Sequence, residues 1–403
     1  MRNVNQLYPK LVGCATNLLP FMANDSASRL VMVGNHLSQM LVVEGATTRR
    51  VKSGMEREYA KYTFDIKMPA TGRVVRIIRR FGSNAVAGPS RPPEIIILYE
   101  DLEQKVDGRA VLGCVSIHGY HSKHQSYGFE YAIPEMVKRI IVKDEIIPKG
   151  TILAKSPGIA PNGDYMFGIE SNVAYMTIPQ IIEDGFVISD EYAQRLATTS
   201  IGNRMVSWGK NKIPLNLYGD ATTYRPFPEI GQAIRPDGLI FATRELEPML
   251  GIIDLAPEKL REPSVVFDDC YYAPPGAIVT DIRILQDATL VYKSTPVGMD
   301  EQLKRYAAGQ SAYYDTIVQA WNTFQKEHRR FGTVFCTDEL HRLIVQECYP
   351  DNPNTVDYAV NRNYRATPFD ECMLDIKFVR RVVPTVGFKI TDLSGGKGVN
   401  IIH

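Results

Sequence analysis

Two short stretches hold the side chains best suited to chemistry on phosphates. One is Ile181-Ile182-Glu183-Asp184-Gly185-Phe186-Val187-Ile188-Ser189, where two carboxylates stand side by side before an apolar run. The other is Gly387-Phe388-Lys389-Ile390-Thr391-Asp392-Leu393-Ser394-Gly395-Gly396-Lys397-Gly398-Val399, where two lysines eight residues apart flank a double glycine. Adjacent carboxylates on a loop cannot chelate one ion from opposite sides. They can give one ligand, or one contact through water, to a Mg2+ that already carries phosphate oxygens. A lysine offers a point charge on a long stem that suits phosphate oxygens, and glycines let a backbone approach a polyanion closely. Each stretch also has a plainer explanation. An acidic pair favours a helix N-terminus, and Gly395-Gly396-Lys397-Gly398 suits a hairpin turn with solvated lysines. The lysine stretch is not a nucleotide-binding P-loop, because the first glycine spacing and the Ser or Thr after the lysine are missing.

Metal-dependent phosphoryl transfer needs several converging carboxylates. The chain has no Asp-x-Asp-x-Asp run, and Asp190-Glu191 and Asp268-Asp269 read as surface pairs. Any work on nucleotides therefore calls for metal ligands from another polypeptide. Three basic clusters, Arg49, Arg50, Lys52 and Arg57, then Arg73, Arg76, Arg79 and Arg80, then Arg380-Arg381, suit either phosphate neutralisation or the solvated face of a strand. His118, His121 and His124 recur every three residues, but no helical periodicity accompanies them to support a metal site. Six cysteines, at 14, 114, 270, 336, 348 and 372, form no Cys-x-x-Cys pair and read as reduced thiols rather than a zinc site.

The elements that must position these residues are legible in outline. With 403 residues, 44% of them hydrophobic, the chain is long enough for two or three domains with a sizeable core. A net charge of +1 means that nucleic-acid contacts come from local clusters or are shared with partner chains. No apolar run approaches the ~18 residues of a membrane span, and Met1 to Lys10 lacks a signal-peptide stretch. A cytoplasmic protein is expected. Asp25 or Ser26 caps a predicted helix through Arg29, Met32 and Val33. Residues 60–155 read as short strands, with Glu94 to Tyr99 a buried one, and Val173 to Met176 reads as a strand leading into the acidic pair. Residues 210–290 read as a β-rich module with turns at Ile230–Gly238 and Pro274–Val279. Leu303, Tyr306, Gln310, Tyr313, Ile317, Trp321 and Phe324 form a helical stripe, with Asp300 as N-cap and Gly332 as stop. A second helix over Asp338–Cys348, ended by Pro350, makes a helical hairpin, and residues 375–390 return to strand.

Several of these stretches resemble, in order, the motifs of one family. Asn17-Leu18-Leu19-Pro20-Phe21-Met22-Ala23-Asn24-Asp25-Ser26-Ala27-Ser28-Arg29 resembles the Leu-Ile-Pro-Phe-x-x-x-Asp-Asp-Ala-Asn-Arg segment of the β (second-largest) subunit of multisubunit RNA polymerases. Met32, Asn35 and Gln39 follow at that family's spacing, and Ser53-Gly54-Met55-Glu56-Arg57 resembles its Thr-Gly-Met-Glu segment. Glu183-Asp184 falls where the family has Tyr-Asn-Phe-Glu-Asp before Ile-Leu-Ile-Ser. The 387–398 stretch resembles its Gly-Asp-Lys-x-x-x-Arg-His-Gly-x-Lys-Gly. Collinear motifs at comparable spacing outweigh the plainer reading of any one of them.

The resemblance implies an α+β, β-rich fold: a double-psi β-barrel interrupted by a flap-like or wall-like β module with a helical hairpin. Residues 1–60 would be a segment contacting the hybrid and the NTP, and 61–204 the first part of the barrel region. Residues 205–370 would be the flap/wall-like insertion with its helical hairpin near 300–349, and 371–403 the barrel return carrying the lysine motif. It also implies roles. Arg29 would contact the triphosphate of the incoming nucleotide, and Asn35 and Gln39 would lie beside the RNA of the hybrid. Glu183 and Asp184 would lie near the second Mg2+, through water, and the nucleotide. Lys389 and Lys397 would hold phosphates at the RNA 3′ end, so that Arg29, Lys389 and Lys397 make the catalytic contribution.

The implied partners are β′-like subunits holding most of the Mg2+ ligands, remaining β-like fragments, a promoter-recognition subunit, template DNA, nascent RNA and NTPs, with no membrane. The chain opens and closes within the family's β body, as do the split, divergent β subunits of giant-bacteriophage polymerases. A nucleotidyltransferase active only in a complex is therefore expected, in the host bacterial cytoplasm if phage-encoded, with packaging in a virion compatible. Phe388 replaces the family's Asp, Leu393-Ser394 its Arg-His, and Ile181-Ile182 its Asn and aromatic. These departures keep two other readings open, a non-catalytic polymerase scaffold and a stand-alone nucleotidyltransferase.

Overall fold

In the strand Glu94–Val106, residues Ile96, Ile97 and Leu98 are all fully buried. Successive side chains of a strand point to opposite faces, so both faces of this one must be covered. Ile97 and Tyr99 pack with Val74, Val115 and Ile117 in one core. Ile96 and Leu98 pack with Tyr313, Ile317, Ala320 and Phe324 of the long helix Glu301–His328. The computed structural model describes residues 12–61, 64–80, 92–106, 108–181, 183–209, 212–245, 259–286, 301–328, 334–348 and 372–402.

Glu94–Val106 is the centre of a five-stranded sheet in the order Phe335–Cys336, Arg109–His118, Glu94–Val106, Gly72–Arg79, Ile146–Ile147. Its pairings are antiparallel except at the Phe335–Cys336 edge, which runs parallel to Val111 and Leu112. A second five-stranded sheet has the order Ile278–Gln286, Cys372–Val382, Thr198–Trp208, Tyr127–Glu130, Tyr120–His124. Thr198–Trp208 pairs with Cys372–Val382 from Thr198↔Val382 to Trp208↔Cys372 without a shift. The first of these strands runs through position 204, and Ile278–Gln286 also pairs with Cys372–Val382. Residues 205–370 thus contribute to a sheet they share with the segments on either side.

The long helix ties the two sheets together. Its 28 residues span ~42 Å at ~1.5 Å per residue. Leu303 and Tyr306 pack with Ile282, Ile284, Leu374 and Ile376 of the second sheet, and the next turns cover the first. Buried Gln310 completes the free edge of a strand. Its Nε2 donates to Ile284 O at 2.9 Å and its Oε1 accepts from Ile284 N at 3.2 Å, which satisfies polar groups that burial would otherwise penalise. Arg80, 1% exposed, pairs with Asp281 at 3.2 Å and donates to Ile282 O at 3.0 Å. A third sheet, Lys212–Pro214, Leu239–Glu245 and Asp268–Tyr272, has its own core around Ile213, Leu217 and Leu260.

The architecture is mixed α/β and rich in strands. Among the described residues no set of strands closes into a barrel. The expected helix through 301–328 is present, while Asp300, Gly332 and Pro350 lie outside the described residues. The second helix runs as an α-helix over Asp338–Arg342 and continues as π-helix over Leu343–Cys348. Val173 to Met176 is not a strand. Those residues are irregular, with Val173, Tyr175 and Met176 67%, 89% and 69% exposed, because an apolar run makes no ladder without a neighbour to pair with. The strand there is Gly185–Val187. Asp268 is not a surface residue either: it is buried and accepts two hydrogen bonds from Arg244 at 2.7 and 2.8 Å.

Candidate functional site

Helix Ala27–Gln39 starts where Asp25-Ser26 lets it. Ser26 is an extended N-cap whose hydroxyl accepts from Arg29 N at 3.4 Å, and Asp25 Oδ1 accepts from Ser26 N at 2.8 Å. Val33 and Leu37 turn inward, with Leu30 beside them. At 3.6 residues per turn, this puts Arg29, Met32, His36 and Gln39 on the adjacent stripe and Asn35 at its outer edge. That stripe carries the lysine hairpin. Arg29 Nη1 donates to Gly395 O at 3.1 Å, His36 Nδ1 lies 2.9 Å from Thr391 Oγ1, and Lys397 Nζ donates to Gln39 Oε1 at 3.3 Å.

The hairpin pairs Lys389–Thr391 with Lys397–Ile402, in the register Lys389↔Val399 and Thr391↔Lys397. Side chains alternate along a strand, so Lys389, Thr391, Lys397 and Val399 share one face. The lysines are diagonal neighbours, about 7–8 Å apart at the backbone. Asp392 closes the turn: its Oδ1 accepts from Ser394 N at 2.9 Å and Gly396 N at 2.7 Å. Gly395 has φ +87°, and a Cβ there would lie 2.7 Å from Arg29 O, so the helix and the turn meet backbone to backbone.

The acidic pair reaches the same hairpin from the other side. Strand Gly185–Val187 runs parallel to Lys397–Ile402, with Val399 opposite Gly185. Asp184 makes the kink into that strand at φ +49°, a left-handed conformation that Asp adopts more readily than most residues. Its carbonyl oxygen presses on Gly398, where a Cβ would sit 1.5 Å away. Direct contacts thus join Arg29, Gln39, Lys397 and the Asp184 backbone. Lys389 joins them by register, Asn35 by its place on the helix and Glu183 by adjacency to Asp184. The side chains of these last three are exposed and make no hydrogen bond or ion pair among the described residues.

Three residues of this neighbourhood escape a reading of the sequence: His36, Thr391 and Asp392. His36 stands seven residues after Arg29, two helical turns on, and that spacing is the signal that could have found it. Partial burial holds its imidazole below the usual histidine range; Lys397 and then Arg29 push the same way, and Asp392 opposes them. Several residues of the basic clusters have partners within the fold. Buried Arg49 donates to Leu18 O, Lys52 and Arg57 pair with Asp164 at 2.5 and 3.8 Å, Arg73 pairs with Glu100, and Arg381 pairs with Glu44 at 2.8 Å. His121 stacks among aromatic rings, 4.8 Å from Phe64 and 5.3 Å from Phe129.

Among the described residues no group of three or more His, Cys, Asp or Glu side chains could hold a metal ion, and Cys14, Cys114, Cys270, Cys336 and Cys372 are free thiols. Glu183 and Asp184 provide two exposed carboxylates without a cationic partner among the described residues. Two adjacent carboxylates of this kind could give at most one ligand position, or one contact through water, to a divalent cation. No helix of the described residues is long and apolar enough to cross a membrane.

Over 194 residues, 48% of this chain, the sequence is 26% identical to "DNA-directed RNA polymerase subunit beta" of Oleidesulfovibrio alaskensis. Over 193 residues, again 48%, it is 28% identical to the protein of the same description from Syntrophus aciditrophicus. The matched stretch takes in 12% and 13% of those two relatives. No family model matches the chain. The chain is thus distantly related to RNA polymerase β subunits across about half its length.

Proposed function

We propose that this chain is a β-like subunit, one part of a split β, of a multisubunit DNA-dependent RNA polymerase. The observation that supports the reading best is the meeting of three distant segments. Helix Ala27–Gln39 docks on the lysine hairpin through Arg29 and Gln39, and Asp184 abuts Gly398 beside Lys397. The similarity to β subunits agrees with it.

In this reading Arg29 clamps the triphosphate of the incoming NTP, Asn35 and Gln39 lie along the hybrid, and Lys389 and Lys397 hold phosphates at the RNA 3′ end. These groups are fixed before reaction and stabilise charge on the transferring phosphoryl group, which is where most of the rate enhancement in such chemistry comes from. Glu183 or Asp184 would give one ligand, directly or through water, to a Mg2+, which would supply neutralisation of phosphate charge. A β′-like partner supplies the other ligands, so the chain is not active alone. The double-psi barrel, the flap-like module over 205–370, binding of template DNA, a promoter-recognition partner and a phage host's cytoplasm belong to the same proposal. A second reading, a non-catalytic scaffold, draws on Leu393, which packs against the main core where the family has an Arg.

The test is to substitute Lys389→Ala and Lys397→Ala, singly and together, in a complex reconstituted with its partner subunits. Removing one preorganised cationic donor from such a site costs roughly 10²–10³ in rate. Elongation should slow by about that factor while assembly, followed by gel filtration, is unchanged. Wild-type elongation from the double variant rejects the catalytic role and leaves the scaffold.

A further inference from the structure

The hydrogen bonds around Thr391 fix which nitrogen of His36 titrates. The Thr391 hydroxyl has one hydrogen, and its oxygen donates to Gly396 O at 2.7 Å, with Asp392 O at 3.2 Å. Committed to these carbonyls, it can only accept from the ring nitrogen 2.9 Å away, His36 Nδ1. Nδ1 therefore carries a hydrogen whether the ring is neutral or charged, and the second proton enters or leaves at Nε2. Among the described residues Nε2 has no hydrogen-bond partner.

The charged groups facing this ring are few and come from both elements packed around it: Arg29 from its own helix, and Lys397 and Asp392 from the hairpin. Arg29 bonds the turn at Gly395 and Lys397 bonds Gln39, so the imidazole lies on the helix stripe between Arg29 and the point where Lys397 of the hairpin reaches the helix. A polyanion bound across Arg29 and Lys397 offsets the repulsion that keeps the second proton away, and offers Nε2 an acceptor.

We propose that His36 is a further anion-contacting residue of this site, taking up a proton at Nε2 when an RNA phosphodiester binds between Arg29 and Lys397. The inference rests on the function proposed above, whose residue assignments do not include His36. It makes phosphate binding proton-linked: one proton passes from a solvent or buffer acid to Nε2, an N–H bond replaces the donor's bond to that proton, and no bond between heavy atoms changes.

The probe is a single-stranded uridine octanucleotide, whose phosphodiesters do not titrate between pH 5.5 and 8. Binding to the full chain is measured by calorimetry at pH 6 in two buffers of different ionisation enthalpy, which counts protons taken up. The His36 ring resonance is titrated with and without RNA. Each unit by which the bound anion raises the ring is tenfold in affinity at the acid end, so binding should tighten about threefold to tenfold from pH 8 to pH 5.5. In His36→Gln the uptake disappears and affinity no longer changes between pH 8 and pH 5.5. Uptake that persists in His36→Gln, or a His36 resonance whose titration RNA leaves unmoved, overturns this inference and leaves the polymerase reading standing. Should the variant fail to fold, the wild-type resonance decides alone. Absence of RNA binding at every pH overturns the inference as well, while the polymerase reading, which places the site in a complex with partner chains, is decided by the lysine variants.

Discussion

Gly398→Ala tests whether the acidic pair and the lysine hairpin form one mechanical unit. The added Cβ would lie 1.5 Å from Asp184 O and 3.0 Å from the Phe186 ring, and real Cβ atoms essentially never come within 3.0 Å of a neighbour. The obstructing atom is backbone, so no rotamer change relieves it. Either the Asp184 carbonyl or the hairpin strand must retreat by about 1.5 Å, the difference between those two distances. That shift breaks the ladder step between Val399 and Gly185 and costs ~1–3 kcal/mol as overpacking. It also moves the kink at Asp184 away from Lys397. Misplacing a reacting group by about 1 Å can cost about 10²-fold in rate. Hydrogen exchange over Gly185–Val187 should accelerate, thermal unfolding should shift down, and elongation by the reconstituted complex should fall about a hundredfold. Gly387→Ala is the control. It stands before the same hairpin at φ +95° with open space around it, so it bears backbone strain of ~1 kcal/mol without pushing on Asp184. Equal effects from the two variants, or an unchanged exchange rate at Gly185–Val187 in Gly398→Ala, refute the coupling.

Two more outcomes follow from buried charges elsewhere. Asp281→Ala removes a carboxylate that pairs with Arg80 where the guanidinium is 1% exposed; urea unfolding should show a loss of ~1.5–3 kcal/mol, and an unchanged stability would mean that this pair contributes nothing to the fold. Lys123 donates to Ser38 O at 3.4 Å and to Met40 O at the end of the site helix, and burial lowers its ammonium to about 8. The unfolded chain, at 10.5, then binds that proton more tightly, so the lysine's share of stability rises with pH between about 8 and 10.5 and is flat below. Lys123→Met should remove that segment of the stability–pH curve, and an unchanged curve rejects the assignment.

What is legible in the sequence is what local spacing encodes. The cap at Ser26 and the inward stripe of Leu30, Val33 and Leu37 are written within a dozen residues, and so is the stripe from Leu303 to Phe324; both helices are where the pattern puts them. Lys389 and Lys397 are legible by type as candidate phosphate contacts, while Arg29 and Gln39 are picked out only through resemblance, because the contacts that join them to the hairpin span more than 350 positions. Period-two alternation does not separate Arg80 from Arg76 and Arg79. Arg80 is buried where Asp281, 201 positions away, can pair with it, and nothing local announces that partner. Val173 to Met176 reads as a strand for the converse reason, since apolar side chains do not reveal whether a neighbour exists to pair with.

Gly398 shows most clearly how a local reading can name the right residue for an incomplete reason. Its missing side chain reads as room for a polyanion, and the space is filled by the carbonyl of Asp184. The glycine's first task is to let two remote chain segments touch, which sets the Asp184 backbone against the residue that follows Lys397. Any phosphate held there meets a geometry already fixed by that contact. Loss of the contact would then disturb the acidic and basic groups together, and this joint response is what separates an integrated phosphate site from a hairpin with solvated lysines.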